Sequence, residues 1–314
     1  MFRHLRAVVI GREGQLATAL RVRLPLSGIE VVTLARPEID LVAPDTLSEM
    51  IKLKRPDLVI NPAAYTAVDQ AEDDPETAFA VNAVAAGAIA ATAAAIRCPV
   101  IHFSTDYVFD GSSTVPYVEN DVPAPLGVYG ASKLAGEEAV AAANERHVIL
   151  RTAWLCSPWG HNFVRTMLRL GAEHEVVRVV NDQKGTPAFA ADIADAVAVI
   201  AARIADRKND QTLFGVFHLG GLGETTWCGF AREIMDGAKT RGAKTARVMA
   251  VTTAEYPTRA SRPQYSILST SKISQIYGIR PPAWKDSLSD CLDSLVGKIE
   301  NSCNAPSAPV RGAH

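Results

Sequence analysis

Cysteine is scarce: there are five in 314 residues (Cys98, Cys156, Cys228, Cys291 and Cys303), widely spaced and with no C-x-x-C pair. An odd, dispersed set argues against a disulfide framework or a cysteine zinc site and suits a reducing cytoplasm. Surplus charge is also missing. Thirty-two basic and 34 acidic residues leave a net charge of −2, so no basic excess points to nucleic acid or an acidic membrane surface. Neither H-E-x-x-H nor G-x-S-x-G occurs, which removes support from zinc-protease and α/β-hydrolase chemistry. The seven histidines show no ligand spacing, and no metal site is expected. Long apolar runs are nearly absent. The start, MFRHLRAVVIG, is interrupted too soon for a secretory signal. Thr77–Ile96 is uncharged over a length that could span a bilayer, but it is mostly alanine and contains Asn82 and Thr92. It reads as a buried helix lying on a sheet rather than a membrane span.

What is present is ordinary globular material, 48% hydrophobic and 21% charged. The length suggests about two domains. Short apolar runs alternate with helical patterns: strands at Ala7–Ile10, Ile29–Leu34, Asp57–Ile60, Pro99–Phe103 and His147–Arg151, with helices between them at Gly14–Leu24, Thr46–Lys54, the alanine stretch and Val128–Asn144. This spacing implies βαβ units. The expected fold class is α/β, a Rossmann-type doubly wound parallel sheet covered on both faces. The second half is less regular, with strands at Val176–Val180 and Gly215–Leu219 and helices at Ala190–Ile204, Thr226–Ala238 and Trp284–Ile299. The expected division is 1–151 for the first domain, with some later segments returning to it, 152–300 for a smaller one, and a mobile, small and polar tail at 301–314.

Three features carry chemistry. The first strand runs into Gly11-Arg12-Glu13-Gly14-Gln15-Leu16-Ala17, a G-x-x-G-x-x-A loop before a helix. Such a loop allows a tight turn, close approach of backbone to a pyrophosphate, and free N–H groups at the helix start. The bland alternative is a plain βα turn. Arg36 follows the second strand, where NAD-selective folds favour an acid. It suits a 2′-phosphate, or it is a solvated surface arginine. Tyr129 and Lys133 are four apart on one helix face. A cation beside a phenol lowers its pKa and fits it for acid–base work on a carbonyl, although the spacing also arises as an ordinary surface pair. The fourth strand ends in Ser104-Thr105-Asp106. In an open α/β sheet these residues face the ligand crevice, or their hydroxyls simply cap a turn. Asp73-Asp74 and Glu137-Glu138 read as solvated helix ends.

Together with STDYVFDG at Ser104–Gly111 and VYGASKLAGE at Val128–Glu137, the loop resembles the extended short-chain dehydrogenases. The segments NPAAYTAVDQAEDDPE (Asn61–Glu76), RTAWL (Arg151–Leu155), NFVRTML (Asn162–Leu168), NDQKGTP (Asn181–Pro187) and TTAEYPTRASRPQYSIL (Thr252–Leu268) narrow this to a resemblance to the dTDP-4-dehydrorhamnose reductase family, covering the chain to about Val296. The resemblance implies a cofactor domain followed by a smaller substrate domain. It also implies reduction of the C4 ketone of dTDP-4-dehydro-6-deoxy-L-mannose to dTDP-L-rhamnose, a polysaccharide precursor, with NADPH and also NADH. By position, Tyr129 is the proton donor, Lys133 binds the nicotinamide ribose, and Thr105 helps polarise the ketone. Gly11, Gly14, Gln15 and Leu16 hold the cofactor phosphates. Asp40 and Leu41 lie by the adenine, and Ala63, Ala64, Tyr65, Thr66 and Ser104 beside the cofactor. Asp106 and Trp154 contact the sugar, and Asn162 and Arg262 the diphosphate. The partner is the dTDP-sugar, and a homodimer is compatible with the family. Departures are Ala17 for the third glycine, Leu155-Cys156 where an aliphatic–tyrosine pair is usual, and Tyr265 for asparagine. Glutamates that hold magnesium between subunits in some members have no counterpart in Ala17-Thr18-Ala19-Leu20. Other readings are an NADP-binding regulatory subunit like that of methionine adenosyltransferase, and a reductase of a related 4-keto sugar nucleotide.

Overall fold

The computed structural model describes residues 5–43, 46–207 and 209–303. The first half alternates strand and helix: β1 (Leu5–Ile10), α1 (Gln15–Arg23), β2 (Ile29–Leu34), α2 (Leu47–Leu53), β3 (Leu58–Asn61), α3 (Val68–Ala71), α4 (Pro75–Phe79), α5 (Ala86–Ala95), β4 (Val100–Thr105), α6 (Val128–Ala143) and β5 (His147–Thr152). The remainder comprises β6 (Leu155–Cys156), α7 (Phe163–Glu173), β7 (Val176–Val180), β8 (Lys184–Gly185), β9 (Ala188–Phe189), α8 (Ala190–Asp206), β10 (Gly215–His218), β11 (Thr225–Thr226), α9 (Trp227–Lys239), β12 (Arg247–Val251), α10 (Ser271–Tyr277) and α11 (Trp284–Cys303).

Six strands form one parallel sheet in the order β2-β1-β3-β4-β5-β10. Their side chains are buried in unbroken runs because both faces are covered. Ala7, Val9, Ile60, Phe103, Leu150 and Phe217 pack under α1, α8 and α10. Val8, Ile10, Val59, Val100 and Ile149 pack under α2, α5 and α6. This is the α/β doubly wound sheet expected from the strand spacing. From β1 the chain goes to β2 on one side, while β3 and its successors build outward on the other. The carboxyl ends of β1 and β3 therefore flank the topological switch point, where such sheets bind ligands.

The alanine-rich stretch is long and apolar enough to cross a membrane, with half of its most apolar window buried. It lies on the sheet: Ala86, Ile89, Ala90 and Ala93 are buried against α2 and α6. Small side chains permit this close approach, since a Cβ at Gly87 would already sit 3.1 Å from Ala139. The helix is not uniform. Asp74 caps its start by accepting from the Thr77 N–H at 3.2 Å, and Ala80–Ala85 is π-helical.

A second core joins α7, α9 and α11 through Val164, Met167, Phe230, Ile234, Trp284 and Leu292. A parallel β7–β12 pair packs beside it. α7, α10 and β12 are additional to the sequence expectation. α11 runs to Cys303, three residues into the stretch expected to be a tail. The rest of that stretch lies outside the described residues.

Candidate active site

The glycine loop is shaped by backbone. Gly11 has φ +109°, a left-handed conformation that disfavours side chains. Its N–H donates to the Leu34 carbonyl at 2.7 Å, seating the loop on the end of β2. Gly14 caps α1 with no side-chain hydrogen bond, and a Cβ there would meet nothing within 4 Å. No acid stands in the first turn. The helix thus presents uncapped N–H groups, those of Gln15 and Leu16 among them, to an open cradle. Gln15 turns its side chain toward the second half of the chain. Its Oε1 accepts from Ser157 Oγ (2.9 Å) and Asn162 Nδ2 (3.0 Å).

Asn162 makes further bonds within the second half of the chain. Its Nδ2 also donates to the Ser157 and Trp159 carbonyls, and its Oδ1 accepts from the Arg165 N–H to cap α7. These bonds engage the side chain within the chain.

At the end of β2, Arg36 pairs with Asp40 at 2.9 Å, and its side chain is 71% exposed. Leu41 packs on the α2/α5 core. At the end of β3, Asn61 Oδ1 accepts from the Ala63 N–H at 3.3 Å, starting the turn Ala63-Ala64-Tyr65-Thr66. Asn82, in the π-helical segment, holds that turn from behind. Its Oδ1 accepts from the Tyr65 N–H (2.8 Å), and its Nδ2 donates to the Tyr65 carbonyl (3.1 Å) and to Ser132 Oγ (2.9 Å).

β4 delivers Ser104, Thr105 and Asp106, all buried. Thr105 caps the following turn by accepting from the Tyr107 N–H at 3.2 Å. The same Oγ1 donates to Asp106 Oδ1 at 3.0 Å and lies beside the Tyr129 phenol, close enough to lower its pKa. Tyr129 is brought there by Gly130, where a Cβ would lie 2.2 Å from the Tyr107 carbonyl oxygen. Only glycine lets α6 press this closely on the turn. The Tyr107 ring meets Tyr129 edge-on, centroids 5.7 Å apart. Further along α6, a Cβ at Gly136 would come within 2.0 Å of the Asn82 carbonyl oxygen.

Burial dominates the electrostatics. It pushes the Tyr129 phenol up to about 12, against the Thr105 hydroxyl that lowers it, while Asp106 raises it further. The expected lowering by Lys133 is therefore corrected. The lysine lies 2% exposed against the sheet, with Nζ donating to the Phe103 carbonyl at 2.6 Å. Burial lowers its ammonium to about 8, opposed by Glu137. Asp106, 2% exposed with Oδ2 unpartnered, is raised to about 6 by burial, though the Ser266 and Thr105 hydroxyls pull it down.

Glu137 is also corrected. Far from solvated, it is buried one turn beyond Lys133 and takes both forks of Arg151, at 2.9 and 2.7 Å. Trp154, at φ +45°, stacks on Trp227 with centroids 3.6 Å apart. Arg262 is held bidentately by Asp69, at 3.2 and 2.7 Å.

A glycine loop at the switch point, with a hydroxyl on a neighbouring strand end and a tyrosine and lysine on the helix that follows it, is the architecture of the extended short-chain reductases. The sequence model of the family described as RmlD substrate binding domain matches residues 5–296. A dTDP-4-dehydrorhamnose reductase of Sinorhizobium fredii is 45% identical over 283 residues, 90% of this chain and 95% of that protein. The crystal structure of a dTDP-4-dehydrorhamnose reductase from Clostridium acetobutylicum superposes with a TM-score of 0.85 at 35% identity, covering 93% of this chain and 99% of that one. The Bacillus anthracis enzyme, solved in complex with NADP, gives a TM-score of 0.85 at 32% identity, covering 92% and 99%. The chain belongs to the dTDP-4-dehydrorhamnose reductase family.

Residue-by-residue reading of the sequence missed Asn82 and the Glu137–Arg151 pair. Helical phase offers a signal for Glu137, four residues after Lys133 and so on the same buried face. No local signal marks Asn82, whose partners lie 17 and 50 residues away.

Proposed function

We propose that this chain reduces the C4 ketone of dTDP-4-dehydro-6-deoxy-L-mannose to dTDP-L-rhamnose, with NADPH or NADH as reductant. The observation that carries this reading is the Tyr129 phenol buried beside Thr105 and Asp106, at the strand end next to the switch point. The open, uncapped cradle at Gly14 fits the pyrophosphate of such a cofactor. When bound, the reduced nicotinamide supplies a hydride to the C4 carbon.

Tyr129 is fully protonated at neutral pH, with its pKa pushed up to about 12. Its O–H gives a proton to the ketone oxygen as that oxygen becomes an alkoxide. Thr105 turns its hydroxyl hydrogen from Asp106 to the same oxygen and polarises the carbonyl. Lys133, anchored on the Phe103 carbonyl, offers its remaining N–H groups to the ribose hydroxyls and its charge to the phenolate left behind. Asp106 turns its free Oδ2 to a sugar hydroxyl. Trp154 forms a wall of the sugar site. Arg262 meets the diphosphate by exchanging its bonds from Asp69.

On this reading, 1–151 forms the cofactor half, with α8 and β10 returning to it. The stretch 152–300 supplies most of the substrate half, and the sugar nucleotide lies between them. A cytoplasmic location suits four described cysteines that are all free and buried. The test is turnover: the purified chain is given NADPH and a panel of dTDP-4-keto-6-deoxy sugars, with products identified by NMR. Oxidation of NADPH with the L-lyxo ketone and formation of dTDP-L-rhamnose are expected. Cofactor binding without turnover of any member of the panel would leave a binding protein and sink the reductase reading.

A further inference from the structure

Arg12 stands inside the glycine loop, yet its side chain reaches across to β2. Nε donates to Thr33 Oγ1 at 3.4 Å and Nη2 to Glu38 Oε2 at 2.6 Å. The Gly11–Leu34 backbone bond holds the loop in that position. In doubly wound sheets the adenosine ribose lies over the end of the second strand, where an acid accepts the 2′-OH or an arginine accommodates a 2′-phosphate. Here the strand ends in Leu34-Ala35-Arg36, without a carboxylate. The first carboxylate after it is Glu38, and Arg12 holds it. Arg36 turns outward to Asp40 and is 71% exposed, against 37% for Arg12.

We propose that the Arg12–Glu38 ion pair reads the 2′ substituent of the adenosine. This rests on the reading of the glycine loop as a dinucleotide site. With NADH, Glu38 accepts the ribose 2′-OH while still paired to Arg12. With NADPH, the 2′-phosphate replaces the carboxylate on the guanidinium, whose planar fork bonds phosphate bidentately. Glu38 then stands as a like charge beside the phosphate. The pair thus serves both cofactors and restrains the preference for either, while Arg36 contributes only a screened field from solvent.

Isothermal titration calorimetry on the full chain without sugar tests this, using 2′,5′-ADP, 5′-AMP, NADPH and NADH with wild type, Arg12→Gln, Glu38→Gln and Arg36→Gln. Arg12→Gln is expected to weaken 2′,5′-ADP and NADPH about tenfold or more and to leave 5′-AMP within about twofold, as befits loss of a charge-assisted bond. Glu38→Gln acts oppositely, tightening NADPH and weakening NADH by about threefold each, the scale of a half-exposed charge. Because the two variants move the NADPH/NADH ratio in opposite directions, a folding defect in one leaves the other decisive. An unchanged ratio in both variants overturns the proposal, as does Arg36→Gln alone abolishing the preference. A wild type that binds none of the four overturns the dinucleotide reading and this inference together.

Discussion

Asp106→Asn should make the protein more stable at pH 8 and a worse catalyst. The carboxyl is 2% exposed; its Oδ1 takes the Thr105 hydroxyl at 3.0 Å, and its Oδ2 has no partner. Taking a carboxylate from water into such a place disfavours the charged form, which is why burial raises the group from 3.8 to about 6. Because the folded pKa lies above the unfolded one, the native state binds the extra proton between those values. Stability from this group is therefore greatest below pH 3.8 and is lost as pH rises through about 6. Above that, each tenfold in proton affinity costs about 1.4 kcal/mol, so the ionised side chain opposes folding by about 3 kcal/mol.

Asparagine keeps the shape and the acceptor for Thr105 but carries no charge. At about 2–4 °C per kcal/mol for a protein above 150 residues, Tm should rise by about 6–12 °C at pH 8. The gain should shrink steadily toward acid and vanish near about pH 4, where the wild-type carboxyl is itself neutral. Differential scanning calorimetry across that range reads both the sign and the slope. A variant less stable at pH 8, or one whose advantage does not change with pH, would mean that Asp106 is solvated or paired and that the argument from burial is wrong. Turnover measured in parallel should fall, mainly through KM for the sugar nucleotide.

Tyr129→Phe should lower kcat by about 10²-fold or more while NADPH affinity by calorimetry stays within about twofold, since a general acid acts on the step and not on the cofactor. Lys133 loses its proton near pH 8, so kcat/KM should decline as pH rises through about 8 if the ammonium is required. A profile flat to about pH 9.5 refutes that role. Arg151→Met strands a buried Glu137 and should cost about 3–5 kcal/mol in urea unfolding, with much of it recovered in the Glu137→Gln, Arg151→Met double variant. A single variant within about 1 kcal/mol of wild type would show that the pair is solvated.

The central sheet is legible because the physics that buries it is local: a parallel strand covered on both faces is an unbroken apolar run such as Ala7–Ile10. The glycine loop and the Tyr129–Lys133 spacing are legible for the same reason, since each works within one turn or one helix. Asn82 is opaque in an alanine-rich stretch because its task is to bridge the Tyr65 turn and α6, which tertiary structure alone brings together. Glu137-Glu138 misleads because adjacent residues on a helix face apart. Glu137 turns inward to Arg151 and Glu138 is exposed. The pKa of Tyr129 was likewise beyond the spacing. Four residues put the lysine on the right face, but the sheet carbonyl of Phe103 takes its ammonium and burial controls the phenol.

Tyr129, Lys133 and Asp106 all sit where burial penalises their charged forms. Each is held there by contacts that tolerate no extra atoms: Gly130 on the Tyr107 carbonyl, Gly136 on the Asn82 carbonyl, and Ser132 between Asn82 and the Tyr129 carbonyl. A site optimised for stability would place a neutral residue at 106 and leave the lysine in water. What the burial provides is a set of groups whose protonation responds to a new neighbour. A phenol that is protonated at rest can give its proton once an alkoxide forms beside it. An ammonium near its titration point is held in its charged form by a phenolate. A carboxyl without a partner for Oδ2 gains one, on the proposed reading, when a sugar hydroxyl arrives. The same burial that destabilises the free protein therefore strengthens every polar contact made in the occupied site, because the local dielectric is low for both.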